Sequence, residues 1–382
     1  MQTQGDFDLR FEAVRDVFAD MFGGHAQGGG ALCVMIGGET VVDLWAGMAD
    51  SSQERPWQSD TLVNLFSCTK LFTAVAALQL VGEGRLRLDE PVARVWPEFA
   101  GNGKARITLR QLLCHTAGLP AIRQALPQEA LYDWQRMSDA LAAEAPWWEP
   151  GSRHGYAAIT YGWLLGELIR RADGRGPGQA IVARTATPLG LDFHLGLDER
   201  EFERVAYLAR GKHVALDATA QRLFKALSGD PMSISARAFN NPPSLMNRGN
   251  KPEWRRMVQP AANGHGNARA LAGLHDGLLR GRLLDDEVLR EMCREHASGD
   301  DLTLLAGTRF GLGCWLEQAD VPGASFCMGP RAFGHPGAGG SLGFADPERE
   351  LAFGFVTNNL GPYVLMDPRA QTLARQVREC LG

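Results

Sequence analysis

Serine and lysine stand three residues apart in Ser67-Cys68-Thr69-Lys70, at the head of an apolar run ending near Val81. On a helix, positions three apart share a face, so the hydroxyl and the amine can meet. The first turn holds the positive end of the helix dipole, which favours negative charge developing on Ser67. Lys70 is followed by Leu71, Phe72, Ala74 and Val75. Burial among them lowers an amine's pKa and lets it accept the serine proton, the requirement for a nucleophilic serine in acyl transfer. The plainer reading is an N-cap serine and a surface lysine. Against it, a lysine in the first turn faces the wrong end of the dipole, and this helix has almost no polar face. A second serine competes: Gly339-Gly340-Ser341-Leu342-Gly343 fits the G-x-S-x-G nucleophile elbow. An elbow needs a helix after the serine and a histidine later in the chain. Here a strand pattern follows, and the last histidine, His335, precedes the serine. The histidines show no H-E-x-x-H or comparable ligand spacing, so neither a metal nor another cofactor is expected.

The elements that must position this pair can be sketched. Phe11, Val14, Phe18 and Met21 recur at helical spacing and give a first amphipathic helix. Gly28-Gly29-Gly30 reads as a flexible joint. Ala31–Ile36 and Thr40–Trp45, parted by Gly37-Gly38, read as an antiparallel hairpin. The helix from Ser67 to Val81 is apolar all round and therefore buried, with Gly82 and Gly84 to stop it. Prolines at 91, 97, 120, 127, 146 and 150 break the next stretch into a loop-rich helical lobe; Tyr161–Arg171 is helical. Residues 200–260 are the least legible. Strands return at Phe310–Leu316, Ser341–Phe344 and Leu351–Thr357, with a turn at Asp346-Pro347-Glu348. Asp367-Pro368 caps a closing helix. The expected fold is α/β in the α+β sense: an antiparallel sheet from both chain ends, flanked by helices, with an inserted helical lobe. The expected division is residues 1–80 with about 170–382, against about 81–169, with the active site between them.

With 382 residues, 45% apolar and 22% charged, a disordered chain is excluded and two lobes are expected. A net charge of −5 and scattered basic residues give no footprint for nucleic acid or an anionic membrane. The longest apolar stretch, Leu71–Val81, is too short to span a bilayer. Seven cysteines without a C-x-x-C pair suggest small buried residues in a reducing setting, and no targeting segment is evident at the N-terminus. The expected location is cytoplasmic. The sequence leaves the oligomeric state open.

Several stretches, in order, carry a family likeness: Ser67-Cys68-Thr69-Lys70; Gly84-Arg85-Leu86-Arg87-Leu88-Asp89; Leu112-Leu113-Cys114-His115-Thr116-Ala117-Gly118-Leu119-Pro120; Glu149-Pro150-Gly151 leading to Tyr156; Ala262-Asn263-Gly264-His265-Gly266; and Gly334-His335-Pro336-Gly337. Together the chain resembles the serine β-lactamase and penicillin-binding superfamily, and more closely the family VIII carboxylesterases. The resemblance implies a β-lactamase-like fold with Ser67 as acylated nucleophile, Lys70 as base and Tyr156 as proton carrier. It implies an oxyanion hole from the Ser67 and Ala338 N–H groups, with His335, Gly337 and Gly339 along the substrate. Two departures stand out: Ala157-Ala158 leave no asparagine after Tyr156, and His335 replaces the lysine of the third motif. Both weaken lactam recognition and leave the acyl-transfer core intact. The expected activity is hydrolysis of short-chain carboxylic esters, a small-molecule partner, with acyl transfer or weak lactam hydrolysis as alternatives and a non-catalytic scaffold as a remote one. At its ordinary pKa, His335 would gain a proton toward pH 6 and favour anionic lactams there.

Overall fold

The computed structural model describes residues 2–23, 28–211, 216–243 and 248–382. Its centre is a mixed-origin antiparallel sheet. The strand order is Gln4–Phe7, Glu39–Asp50, Gly29–Ile36, Leu351–Thr357, Leu342–Asp346, Phe333–Pro336, Trp315–Leu316, Gly307–Phe310 and Ala297–Asp300. The two chain ends meet where Gly29–Ile36 pairs with Leu351–Thr357, Leu351 opposite Ile36 and Thr357 opposite Gly30.

The glycine run before the hairpin is no joint. Gly29 and Gly30 are the first residues of a strand, and a Cβ on Gly30 would come within 2.6 Å of both Phe22 and the Val356 carbonyl. These glycines let the first helix and the sheet close on each other. The strand expected over Phe310–Leu316 is two short strands in a tight hairpin, Phe310 opposite Trp315. Gly311 and Gly313 make the break: added Cβ atoms would meet the Met292 carbonyl at 2.1 Å and Ala74 at 2.2 Å.

One sheet face is covered by the first helix, Glu12–Gly23, and the closing helix, Pro368–Leu381, which bury Val14, Phe18, Leu373 and Val377. The Asp367 side chain accepts the Arg369 N–H at 2.9 Å and caps the closing helix, with Pro368 at its first position. The other face receives the helix Ala268–Leu279, whose Leu271 and Leu274 are buried. Beyond it lies the helix Thr69–Gly82, buried from Thr69 to Leu78, with the helices Thr160–Asp173 and Pro177–Thr185 against it. Phe72 stacks on Phe193 with centroids 3.7 Å apart. A helix with no polar face needs apolar neighbours all round, and it has them. All seven cysteines are free thiols. Among the described residues, no helix is long and apolar enough to cross a membrane.

Candidate active site

Ser67 lies in a 3-10 turn, Phe66–Cys68, that runs directly into the helix Thr69–Gly82. Phe66 has φ +45°, a region bulky side chains avoid. The strain is held by Thr69, whose hydroxyl donates to the Phe66 carbonyl at 2.6 Å and accepts the Gly264 N–H at 3.0 Å. The Cys68 thiol donates to the His335 carbonyl at 3.2 Å, tying the turn to the strand Phe333–Pro336. Gly337 permits this approach, since a Cβ there would lie 2.4 Å from the Leu65 carbonyl. The Ser67 N–H precedes the first internal bond of the turn, from Cys68 N–H to the Leu65 carbonyl. It is left for another acceptor, as first N–H groups of helices are.

Lys70 is fully buried. Its Nζ lies 3.2 Å from Ser67 Oγ, 2.8 Å from the Ala158 carbonyl and 3.0 Å from the Ala261 carbonyl. Burial holds its pKa well below the usual lysine range. A neutral amine has two N–H groups and one lone pair. The two carbonyls take the N–H groups, and the lone pair remains for the serine proton.

Both carbonyls are set by a residue the sequence did not flag. Gln259 is fully buried; its amide Nε2 donates to the Ile159 carbonyl at 2.7 Å and its Oε1 accepts the Ala261 N–H at 2.6 Å. It staples the loop bearing Ala158 to the loop bearing Ala261. Thr73 adds a bond to the Pro260 carbonyl at 2.6 Å.

Tyr156 is buried; its ring lies 4.6 Å from Lys70 Nζ, and it lines one cavity with Ser67. Burial drives its pKa up, so the ring carries a phenol and not a phenolate. Its backbone is fixed from behind. The Tyr156 N–H donates to both oxygens of buried Asp301, at 3.1 and 3.0 Å, and Asp301 also accepts the Thr303 and Leu304 N–H groups. His115 Nδ1 accepts the Ala157 N–H at 3.2 Å, and its ring packs 4.9 Å from that of Tyr156. Burial keeps His115 neutral. No short-range pattern links Asp301 to Tyr156, so sequence reading misses it.

A cavity of about 360 Å³ opens at Ser67 and Tyr156, with Trp315, Gly337, Ala338 and Gly339 in its wall. Most of the remaining wall is apolar and comes from the helix Ala218–Gly229, with Leu223, Phe224 and Leu227, and from residues 360–365. Arg210 is the charged side chain among its described lining residues. Gly339 has φ +89°, and a Cβ there would strike Leu360 at 2.3 Å. His335 does not line the cavity. Its ring sits behind the wall, 6.1 Å from Tyr156 and 6.0 Å from Trp315, with Nδ1 donating to the Pro336 carbonyl at 2.7 Å. Burial, aided by Lys70, pushes its pKa down to about 3. The expected protonation near pH 6 therefore does not occur. Ser341 is buried, and its carbonyl accepts the Gly337 N–H at 2.7 Å. A strand follows it, Leu342–Asp346, where an elbow would need a helix. His265 is also buried, in a short strand opposite Asn64 and His194, and is not among the residues lining the cavity.

The fold and its cleft define a hydrolase of the β-lactamase-fold class. The chain belongs to the Beta-lactamase family, whose model matches residues 14–377. It is 35% identical over 376 residues to the esterase/beta-lactamase LipL of Mycobacterium tuberculosis, covering 95% of this chain and 85% of that protein. It superposes on the crystal structure of a family VIII carboxylesterase with a TM-score of 0.88 at 34% identity, over 100% of both chains. A penicillin-binding protein homolog from Caulobacter crescentus matches with a TM-score of 0.87 at 35% identity, again over 100% of both chains.

Proposed function

We propose that the protein is a serine carboxylesterase that hydrolyses short-chain carboxylic esters through an acyl-enzyme on Ser67. The observation that carries this is the environment of Lys70: a buried amine with two fixed carbonyl acceptors, no carboxylate partner among the described residues and the serine hydroxyl at 3.2 Å. Ser67 Oγ attacks the ester carbonyl as its proton passes to the Lys70 lone pair. The N–H groups of Ser67 and Ala338 receive the oxyanion. The alcohol departs with a proton delivered from Lys70 through the Tyr156 phenol, and the acyl group stays on Ser67. Water enters by the same path, gives a proton to the relay as it adds to the acyl carbonyl, and the bond to Ser67 Oγ then breaks, the relay returning the proton to Oγ as the acid leaves. An apolar wall of Leu223, Phe224 and Leu227 suits an uncharged acyl chain.

A second reading, weak lactam hydrolysis on the same serine, is favoured by Arg210 in the cavity lining, where a substrate carboxylate could meet a cation. His335, neutral and behind the wall, offers none. Intact-protein mass spectrometry after mixing with p-nitrophenyl butyrate or nitrocefin tests both readings. The expected result is a butyryl adduct that maps to Ser67 and is absent from Ser67→Ala. An adduct on Ser341, or none in a folded protein that turns over the ester, would refute the acyl-enzyme. Nitrocefin turnover rivalling that of the ester would favour the second reading.

A further inference from the structure

A second cavity, of about 390 Å³, lies behind the serine cleft. Trp315 lines the cleft while its neighbour Leu316 lines this cavity; Pro336 lines the cleft while Phe333 lines this cavity. Successive strand residues point to opposite faces, so the sheet separates the two spaces. Five arginines line the second cavity, Arg280, Arg290, Arg294, Arg309 and Arg331, against one carboxylate, Glu350. The whole chain carries a net charge of −5, so this is a local reversal of sign.

Three of the five are each tied to a carboxylate: Arg280 to Asp276 at 3.3 Å, Arg294 to Glu291 at 2.8 Å and Arg309 to Glu295 at 2.5 Å. Arg290, in the last turn of the helix Asp286–Met292, and Arg331, just before the strand Phe333–Pro336, make no hydrogen bond or ion pair with any described residue. Their planar forks are uncommitted, and such forks match the oxygens of carboxylates and phosphates. A carboxylate is satisfied by one fork. A phosphate monoester has three terminal oxygens and up to two charges, and takes forks arriving from separate elements. The rest of the lining is apolar, with Leu279 and Leu289 beside buried Leu316 and Phe333. We propose that this cavity binds a phosphate monoester with a small apolar organic group, the phosphate on Arg290 and Arg331 and the organic group on the leucines and Phe333.

Isothermal titration with phenyl phosphate, inorganic phosphate and benzoate tests this on the wild-type chain and on Arg290→Gln/Arg331→Gln. Both arginines are exposed, so the double variant keeps the core intact. Phenyl phosphate should bind one-to-one and more tightly than either other probe. Its affinity should fall about tenfold or more in the double variant, with turnover of p-nitrophenyl butyrate unchanged. No saturable binding of phenyl phosphate, or equal affinity in the double variant, would overturn the site. Benzoate binding as tightly would overturn the phosphate assignment, and inorganic phosphate binding as tightly would overturn the role of the apolar surface.

Discussion

Lys70→Met keeps an unbranched side chain of similar length and removes the titrating amine, which makes the burial of Lys70 measurable as a pH dependence of stability. In the fold, burial holds Lys70 well below the ordinary lysine pKa, while in the unfolded chain it titrates near 10.4. Between those values the unfolded chain binds one more proton than the folded chain. Stability therefore rises with pH by about 1.4 kcal/mol per pH unit from this residue alone. The contribution is fully present above the unfolded pKa and is lost as pH falls toward the folded one. The Met variant lacks this gain. Other titrating groups are common to both proteins and cancel in the difference. The variant also loses three hydrogen bonds, with Ser67 Oγ and the Ala158 and Ala261 carbonyls, a cost that does not vary with pH. Urea unfolding followed by tryptophan fluorescence at pH 7.5, 8.5 and 9.5 measures the difference. Wild type should gain on Lys70→Met as pH rises, by up to about 1.4 kcal/mol per pH unit. Parallel stabilities would mean that Lys70 keeps its proton in the fold, and an ammonium has no lone pair for Ser67. The same residue thus ties a stability curve to the chemistry, since the variant should also lose ester turnover.

Three further outcomes follow from the geometry. Tyr156→Phe keeps the ring against His115 and removes the proton carrier; kcat for p-nitrophenyl butyrate should fall roughly 100-fold, and a near wild-type rate would leave the relay to Lys70 alone. Gln259→Leu unstaples the two loops that hold Lys70; kcat should fall with KM little changed and the acid limb of the pH–rate profile should move, whereas a loss in thermal stability with an unchanged profile would make Gln259 structural only. Because His335 titrates at about 3, the ratio of nitrocefin to p-nitrophenyl butyrate kcat/KM should not respond to His335 between pH 6 and 8.5; a rise toward pH 6 that disappears in His335→Asn would refute its burial in the neutral form.

What the sequence reveals here and what it hides divide along physical lines. Features that rest on periodicity or on neighbouring residues are legible: the hairpin of Gly29–Ile36 and Glu39–Asp50, the strand Leu351–Thr357, the capped closing helix and the apolar helix after Ser67. The polar edge strand Gln4–Phe7 is not, because three of its four residues are exposed and an edge strand has only one partner. The break at Gly311–Gly313 is not, because its cause is the distant backbone of Met292 and side chain of Ala74. The pKa of His335 is not, because it depends on burial under Trp315 and beside Tyr156 and on the nearby Lys70, all brought together only by the fold.

The same division runs through the active site. Ser67 and Lys70 are visible because a helix brings residues three apart together. The groups that set the amine's proton state are backbone carbonyls, at Ala158 and Ala261, which any side chain could carry. Their placement is controlled by Gln259, which lies in the stretch of sequence with the weakest pattern. That stretch also supplies the helix Ala218–Gly229, and with it much of the apolar wall of the cavity. Chemistry and selectivity are thus encoded differently in this chain. The proposed nucleophile and base, Ser67 and Lys70, are a short motif at the head of a buried helix. The space that the proposed reaction would offer to the acyl chain is lined by Leu223, Phe224 and Leu227, on a helix that also buries Ala220. Substitutions at these three positions should alter the accepted chain length without touching the Lys70 carbonyl cage, because none of them is bonded to Lys70.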